Sequence, residues 1–257
     1  MTMRLIYEPN GKAREYSPLA LNVYTRGCDH ACNYCYCSTI GAWSETPHPR
    51  NLHGLAGDAE QATRQVLLSF MGDPYCAAER IHRNTRMALG VLARARCSVA
   101  ILTKGGTRCL DDLGIFRAWP DGRCQVGATL TFLNPARSIA HEPGAALPAD
   151  RLDALQHLHG AGVTTWASIE PVIDARESLA VIRASLPYVD AYKVGKLNHR
   201  GSTVDYRAFG VAVVDMIRAA GRALYVKVDL RPYFPTGYLR AEEIALDALV
   251  VQDRPIA

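Results

Sequence analysis

No apolar run in the 257-residue chain approaches the roughly 20 residues that span a bilayer, so no membrane-crossing helix is expected. Nor does a signal-type apolar core follow Met1-Thr2-Met3-Arg4, and a cytoplasmic location is the expectation. Internal repeats and low-complexity segments are missing too, which argues against solenoid architectures and long disordered arms. There is little excess charge of either sign: 29 basic against 25 acidic side chains leave +4, which permits a nucleic-acid partner without arguing for one. A second C-x2-C knuckle is absent, so a structural zinc module has little to build on. A secretory disulfide framework is disfavoured as well, because a chain of this length buries an adequate core without one.

What the sequence has instead is eight cysteines, three of them in Cys28-Asp29-His30-Ala31-Cys32-Asn33-Tyr34-Cys35. This C-x3-C-x2-C run follows the apolar stretch Leu19-Ala20-Leu21-Asn22-Val23-Tyr24. Three thiolates so close together can hold three irons of a [4Fe–4S] cluster and leave the fourth iron open to a small molecule. Zinc completed by Cys37 or His30 is the alternative. Of Cys37, Cys76, Cys97, Cys109 and Cys124, most read as small buried hydrophobes, with Cys76 a candidate hydrogen-atom or electron relay.

Residues 1–18 read as a polar N-terminal extension and 41–57 as a surface loop. Beyond them, apolar strands are expected at 65–70, 98–102, 125–132, 164–169, 189–194 and 224–228, in addition to the one before the cysteines. Helices are expected at 77–95, 107–119, 148–161, 174–186 and 205–220. Alternation of this kind implies parallel pairing through right-handed crossovers. The expected fold is α/β, a single-domain partial (βα)6 TIM-type barrel over residues 19–230, with the cluster loop at 25–40 and a C-terminal extension at 231–257.

Barrels of this type place their active sites at the C-terminal ends of the strands. Those ends carry the cysteine loop, Gly72-Asp73, Thr103-Lys104-Gly105-Gly106, Thr131, Glu170, Lys193 with Lys196 and Asn198, and Lys227 with Asp229. Gly72 lets another molecule approach the backbone, and Asp73 can accept from an ammonium or ribose hydroxyl, or simply cap the next helix. Glu170 ends an apolar strand, so it should face the barrel mouth, either holding an amine or pairing with Lys104 or Lys193. Lys193, Lys196 and Asn198 can meet a carboxylate or phosphate, or sit solvated. Along the rim, His199-Arg200, Arg207, Arg231 and Arg240 interleave with Tyr233, Phe234 and Tyr238, as a nucleic-acid path or as ordinary surface.

The cysteine run, with the aromatic Tyr34 just before its third cysteine, resembles the motif of the radical S-adenosylmethionine (SAM) superfamily. That resemblance implies a [4Fe–4S] cluster on Cys28, Cys32 and Cys35 and SAM on the open iron through its amino and carboxylate groups. It puts Tyr34 near the adenine, with Gly72, Asp73, Lys104 and Thr131 as further cofactor-binding residues. Asp73-Pro74-Tyr75 with Glu79, Thr103-Lys104, Glu142-Pro143-Gly144-Ala145, Arg151-Leu152-Asp153-Ala154-Leu155 and Glu170-Pro171-Val172-Ile173 look like the branch similar to spore photoproduct lyase, over residues 19–200. One departure stands out: the place of that family's cysteine hydrogen donor, just before Asp73, is held by Phe70-Met71-Gly72.

The resemblance therefore implies cleavage of SAM to a 5′-deoxyadenosyl radical that acts on a thymine-derived base in DNA, with an electron donor such as flavodoxin or ferredoxin. Without the dedicated donor, isomerisation is attractive, as in radical SAM isomerases of viral thymidine hypermodification, where an N-linked aminoacyl (glycyl) thymidine becomes C-linked. The location would then be the host cytoplasm. Cys76, Glu170 and Lys193 are the candidate catalytic residues, Glu170 and Lys193 suiting the amino and carboxylate ends of such a substituent. Repair of a thymine lesion, as in spore photoproduct lyase, is the alternative, and a non-catalytic zinc adaptor a third.

Overall fold

The computed structural model describes residues 4–39, 41, 43–198, 200–246 and 249. Seven parallel strands form one open sheet: β1 (Leu19–Ala20), β4 (Val66–Leu68), β5 (Val99–Thr103), β6 (Cys124–Thr129), β7 (Thr164–Ile169), β8 (Ala191–Val194) and β9 (Ala223–Val226). Their spatial order is β1-β4-β5-β6-β7-β8-β9, so each strand lies beside its predecessor in this series. Strands β2 (Tyr24–Thr25) and β3 (His48–Pro49) make a separate antiparallel pair next to the cysteine run. The barrel strands read as nearly continuous buried runs, Val66-Leu67-Leu68 being wholly buried, as both faces of the sheet are covered.

Helices α1 (Leu55–Gln61), α2 (Glu79–His82), α3 (Asn84–Arg94), α4 (Leu113–Arg117), α5 (Pro135–His141), α6 (Pro148–Gly160), α7 (Ala175–Ser185) and α8 (Tyr206–Ala219) complete the fold. Helix α8 buries Tyr206, Phe209, Gly210, Val213, Val214 and Ile217, the spacing of one helical face, against β8 and β9. Asp174 and Asp205 start α7 and α8 by accepting from the backbone N–H groups two and three residues on. The partial TIM-type barrel expected from the sequence is thus the fold observed.

Three local departures have identifiable causes. The helix expected over 77–95 breaks at Arg83, whose φ is 54°. The buried Glu79 carboxylate accepts from Thr85 N at 2.8 Å and Arg86 N at 3.1 Å, so an acid from α2 caps α3 and the chain must kink to let it. The expected helix over 107–119 is a 3-10 stretch, Gly106–Asp112, followed by α4. Inside the segment read as a loop, β3 forms and α1 begins, its Leu55 and Ala59 buried against the core.

The N-terminal segment is part of the barrel. Tyr7 exchanges both backbone hydrogen bonds with Ala20 on the outer edge of β1, at 2.9 and 3.0 Å. Eight residues later the buried Glu15 carboxylate accepts from Val228 N at 2.6 Å and the Tyr225 hydroxyl at 3.1 Å, at the end of β9. One short segment therefore spans the seam between the two edge strands.

Candidate active site

The cysteine loop leaves the C-terminal side of β1 and is held from several directions. Gly144 N donates to His30 O at 3.0 Å, Asn33 N to His141 O at 2.9 Å, and Ala77 N to Asp29 Oδ2 at 2.6 Å. Arg200 donates to Asn33 O. Gly72 turns the end of β4 beneath the loop with φ +78°, a conformation that favours glycine. Cys28, Cys32 and Cys35 are half-buried and form no disulfide, whereas the other five cysteines are buried. Hydrogen bonding with Cys37 draws the Cys35 thiol down to about 6, while burial pushes Cys28 and Cys32 up.

Three soft thiols on one loop fit an iron–sulfur cluster, which takes one thiolate per iron. Among the described residues no three Cys, His, Asp or Glu side chains converge on a single metal ion. His30, a possible fourth zinc ligand by sequence, is 2% exposed and lies between carboxylates and a guanidinium, with Nδ1 3.5 Å from Asp73 Oδ2 and Nε2 3.5 Å from Arg108. The tightness of the clamp gives a first prediction. A Cβ on Gly144 would sit 1.9 Å from Asp29 O, so Gly144→Ala should displace the loop and lower the iron retained per chain after reconstitution. Gly57→Ala, inside α1 with nothing within 4 Å, should keep the iron and stabilise the fold by about 0.5–1 kcal/mol.

Asp73 is 6% exposed and fully engaged. Its Oδ1 accepts from Thr103 Oγ1 at 2.6 Å and Tyr75 N at 2.8 Å, and its Oδ2 from Lys104 N at 2.7 Å. Burial alone would raise its pKa, but His30, Thr103 and the two N–H groups hold the carboxyl below its usual range. The side chain thus joins the ends of β4 and β5 to the cysteine loop, in the turn-capping arrangement that the sequence left open.

Tyr34, Lys104 and Thr131 converge around Glu142, which the sequence offered only as part of a motif. Glu142, 1% exposed, accepts from the Tyr34 hydroxyl, from Thr131 Oγ1 at 3.0 Å and from Arg151 Nη2 at 2.6 Å. Lys104 Nζ lies 5.5 Å from the centroid of the Tyr34 ring. One sequence signal pointed here: Arg151 falls on the same face of α6 as Ala154, Leu155 and Leu158, and a charge on an apolar face demands a buried partner.

Glu170 lies apart from this group, at the end of β7. Its partners are Lys227, the Tyr16 hydroxyl at 2.6 Å and Asn198 Nδ2 at 2.7 Å, so the ion pair runs to β9 and not to Lys104 or Lys193. Tyr16, in the segment read as an extension, carried no sequence signal. Lys193 is 2% exposed and turned inward, where its Nζ donates to Tyr16 O at 2.6 Å and Glu15 O at 3.1 Å among the rings of Tyr16, Trp166 and Tyr225. The expectation that it meets a substrate at the mouth is corrected accordingly, since the side chain is buried and carbonyls of the N-terminal segment have claimed two of its three donors.

Burial and the nearby Lys227 pull Lys193 down to about 7 from the usual 10.5. The unfolded chain therefore binds more protons than the folded one between these two values, and stability should rise with pH across that window. Urea unfolding at pH values on either side of it should show this rise in the wild type and a flatter profile in Lys193→Met.

Cys76 is fully buried in the apolar core beside β4, and burial together with Asp73 pushes its thiol up to about 12. The place expected for a relay is thus closed off by packing. On the rim, Arg231 spends its guanidinium on Val226 O, Ile244 O and the Tyr225 hydroxyl, while Phe234 and Tyr238 stack on each other against α8. Tyr233 is tilted against Tyr206, and Arg207 and Arg240 are exposed. His199 lies outside the described residues. Of the rim aromatics, Tyr233 is exposed, whereas Phe234 and Tyr238 are half-buried.

No family model matches the chain. An uncharacterized protein of Methanocaldococcus jannaschii, MJ0683, is 27% identical over 184 residues, which cover 68% of this chain and 69% of that one. Among solved structures, Streptococcus suis SuiB bound to S-adenosylmethionine is similar with a TM-score of 0.66 at 12% identity, over 86% of this chain and 53% of SuiB. This chain thus spans about half the length of SuiB. Spore photoproduct lyase complexed with dinucleoside spore photoproduct gives a TM-score of 0.66 at 14% identity, over 89% of this chain and 80% of the lyase. The architecture is shared with these proteins. None of the helices described here is long and apolar enough to cross a membrane.

Proposed function

We propose that this chain is a radical SAM enzyme that rearranges a thymine-derived base in DNA. The observation that carries the proposal is the clamped loop with three half-buried, unpaired thiols at the C-terminal side of an open parallel barrel. Cys28, Cys32 and Cys35 would hold the [4Fe–4S] cluster. When bound, the reduced cluster and SAM supply a 5′-deoxyadenosyl radical that can take a hydrogen atom from an unactivated carbon. Lys104 offers an ammonium to the SAM carboxylate, and Tyr34, fixed by Glu142, offers a ring to the adenine. Gly72, Asp73 and Thr131 serve by shaping this side of the mouth, Asp73 through the loop and Thr131 through Glu142.

The choice of a thymine-derived substrate is supported by the sequence matches to the spore photoproduct lyase branch and by the fold shared with that lyase. Within that choice, the burial of Cys76 and the apolar Phe70-Met71-Gly72 segment favour isomerisation over repair, because every cysteine other than the three assigned to the cluster is buried and none is offered to quench a product radical. In an isomerisation, 5′-deoxyadenosine itself can return the hydrogen. Conversion of an N-linked glycyl thymidine to its C-linked form fits this requirement, and on this reading Glu170 would exchange one of its present partners, Lys227, Tyr16 or Asn198, for the substituent's amine. Flavodoxin or ferredoxin would supply the electron, and the cell compartment would be the cytoplasm, the host's if the chain is viral.

The test is anaerobic incubation of reconstituted protein with dithionite and SAM, together with DNA carrying either the glycyl-modified thymidine or spore photoproduct. Digested nucleosides and 5′-deoxyadenosine are followed by mass spectrometry. A rearranged nucleoside with little net 5′-deoxyadenosine is the expected result. Release of thymines from spore photoproduct would replace isomerisation by repair, and an iron-loaded protein that cleaves no SAM would overturn the proposal.

A further inference from the structure

We infer that Arg151 is a positioning residue for SAM binding, neutralising Glu142 so that Lys104 keeps its charge for the ligand's carboxylate; this rests on the radical SAM proposal above. Arg151 and Glu142 are each 1% exposed. The guanidinium is fixed from three sides, donating to Glu142 Oε2 at 2.6 Å, Ala146 O at 2.8 Å and Thr129 O at 3.0 Å. Glu142 in turn gathers Tyr34, Thr131 Oγ1 and, more loosely, Ser138 Oγ at 3.4 Å. One buried carboxylate thereby links α6 to the ring inside the cysteine run.

Lys104 stands beside this group and makes no hydrogen bond or ion pair through Nζ among the described residues; its near neighbour is the Tyr34 ring, 5.5 Å away. A lysine next to a carboxylate in a poorly solvated site is strongly drawn to it. That it is not paired here follows from competition. Arginine is more weakly hydrated and presents a planar fork, so it takes the buried carboxylate at lower desolvation cost than an ammonium does. With Glu142 neutralised from behind by Arg151, the charge of Lys104 is left for an anion arriving from the mouth. The hydrogen bonds of Arg151 run to Glu142 Oε2, Ala146 O and Thr129 O, so its influence is exerted through Glu142, Lys104 and Tyr34.

The test compares Arg151→Met, Glu142→Gln and the double variant, all reconstituted, by equilibrium dialysis of SAM, iron content and the KM and kcat of SAM cleavage. In Arg151→Met, Lys104 should turn to the stranded carboxylate. SAM affinity should fall about tenfold or more, a change of roughly 1.4 kcal/mol or more, with iron content unchanged and the loss appearing in KM. Glu142→Gln keeps an acceptor for Tyr34 and removes the competing anion, so it should lose SAM affinity by about threefold at most, less than Arg151→Met. The double variant should recover affinity to within about threefold of wild type, because the carboxylate stranded by the loss of Arg151 is no longer there to capture Lys104.

A purely structural role predicts the opposite order, with the double variant binding as weakly as Arg151→Met or more weakly, and that result overturns the inference. Should Arg151→Met fail to fold, Glu142→Gln decides alone: a tenfold loss of SAM affinity there would overturn the inference. Wild-type protein that binds SAM, paired with an Arg151→Met variant that binds it equally well, overturns the positioning role and leaves the radical SAM proposal standing. Iron-loaded wild type that binds no SAM overturns both.

Discussion

Cys32→Ala should strip the chain of its iron, its brown colour and its cleavage of SAM together. Cys32 is the middle thiol of the three, and removing it leaves two ligands for a cluster that needs three from this protein. Wild type reconstituted under anaerobic conditions should carry roughly four irons per chain, whereas Cys32→Ala should carry close to none and form 5′-deoxyadenosine only at background. Cys124→Ala is the matched control. Cys124 is 3% exposed at the start of β6, remote from the loop, and its loss should cost about 1 kcal/mol of stability and no iron. Equal iron in Cys32→Ala and wild type would remove the basis for the proposed function.

Lys227→Met should be the most destabilising substitution outside the apolar core, at about 3–5 kcal/mol, a fall in Tm of roughly 6–20 °C for a chain of this size. Lys227 is 3% exposed, sits 4.2 Å from the Tyr16 ring centroid, and is the counter-ion of Glu170, with Glu15 3.9 Å away. Without it Glu170 keeps two neutral hydrogen-bond donors and no positive partner in a mostly buried place. Glu170→Gln in the same chain should return a large part of the loss, since the stranded charge is then gone. Lys193 offers a second readout. Its like-charged neighbour disappears in Lys227→Met, so the pH window over which stability rises should begin higher than in the wild type. A Tm within about 2 °C of wild type would show that this pair carries little of the fold.

The sequence was most legible where its signals are local. β7 matches the expected residues 164–169 because its apolar run is bounded by a glycine-containing turn, and α7 and α8 begin where Asp174 and Asp205 can cap them. The cysteine loop was legible for the same reason, since its three thiols lie within eight residues. Helix α5 was missed although Asn134 and Pro135 give a cap and a first-turn proline, a pattern that would have found it. The break at Arg83 has no glycine or proline to announce it, because its cause is the Glu79 carboxylate reaching forward to α3.

The candidate site was less legible, because its charges choose partners far along the chain. Glu170 and Lys227 are 57 residues apart, and Lys193 reaches back 177 residues to Tyr16 O. From sequence, Lys193 and Lys227 are equivalent lysines at strand ends. Which one faces the acid is decided by side-chain direction on adjacent strands and by an N-terminal segment that carries no chemical signature of its own.

That segment also sets an order of events. Tyr7 can pair with Ala20 as soon as both exist, but Glu15 finds Tyr225 and Val228 only across 210 and 213 residues. Closure entropy must be met before such distant contacts return any stability, so they belong to the end of folding. On the ribosome, the contacts of Glu15 wait for β9, the last strand described. A nascent chain halted before β9 would expose the Glu15 and Glu170 carboxylates without Lys227, and the barrel would assemble only when the chain that began it comes round to meet it.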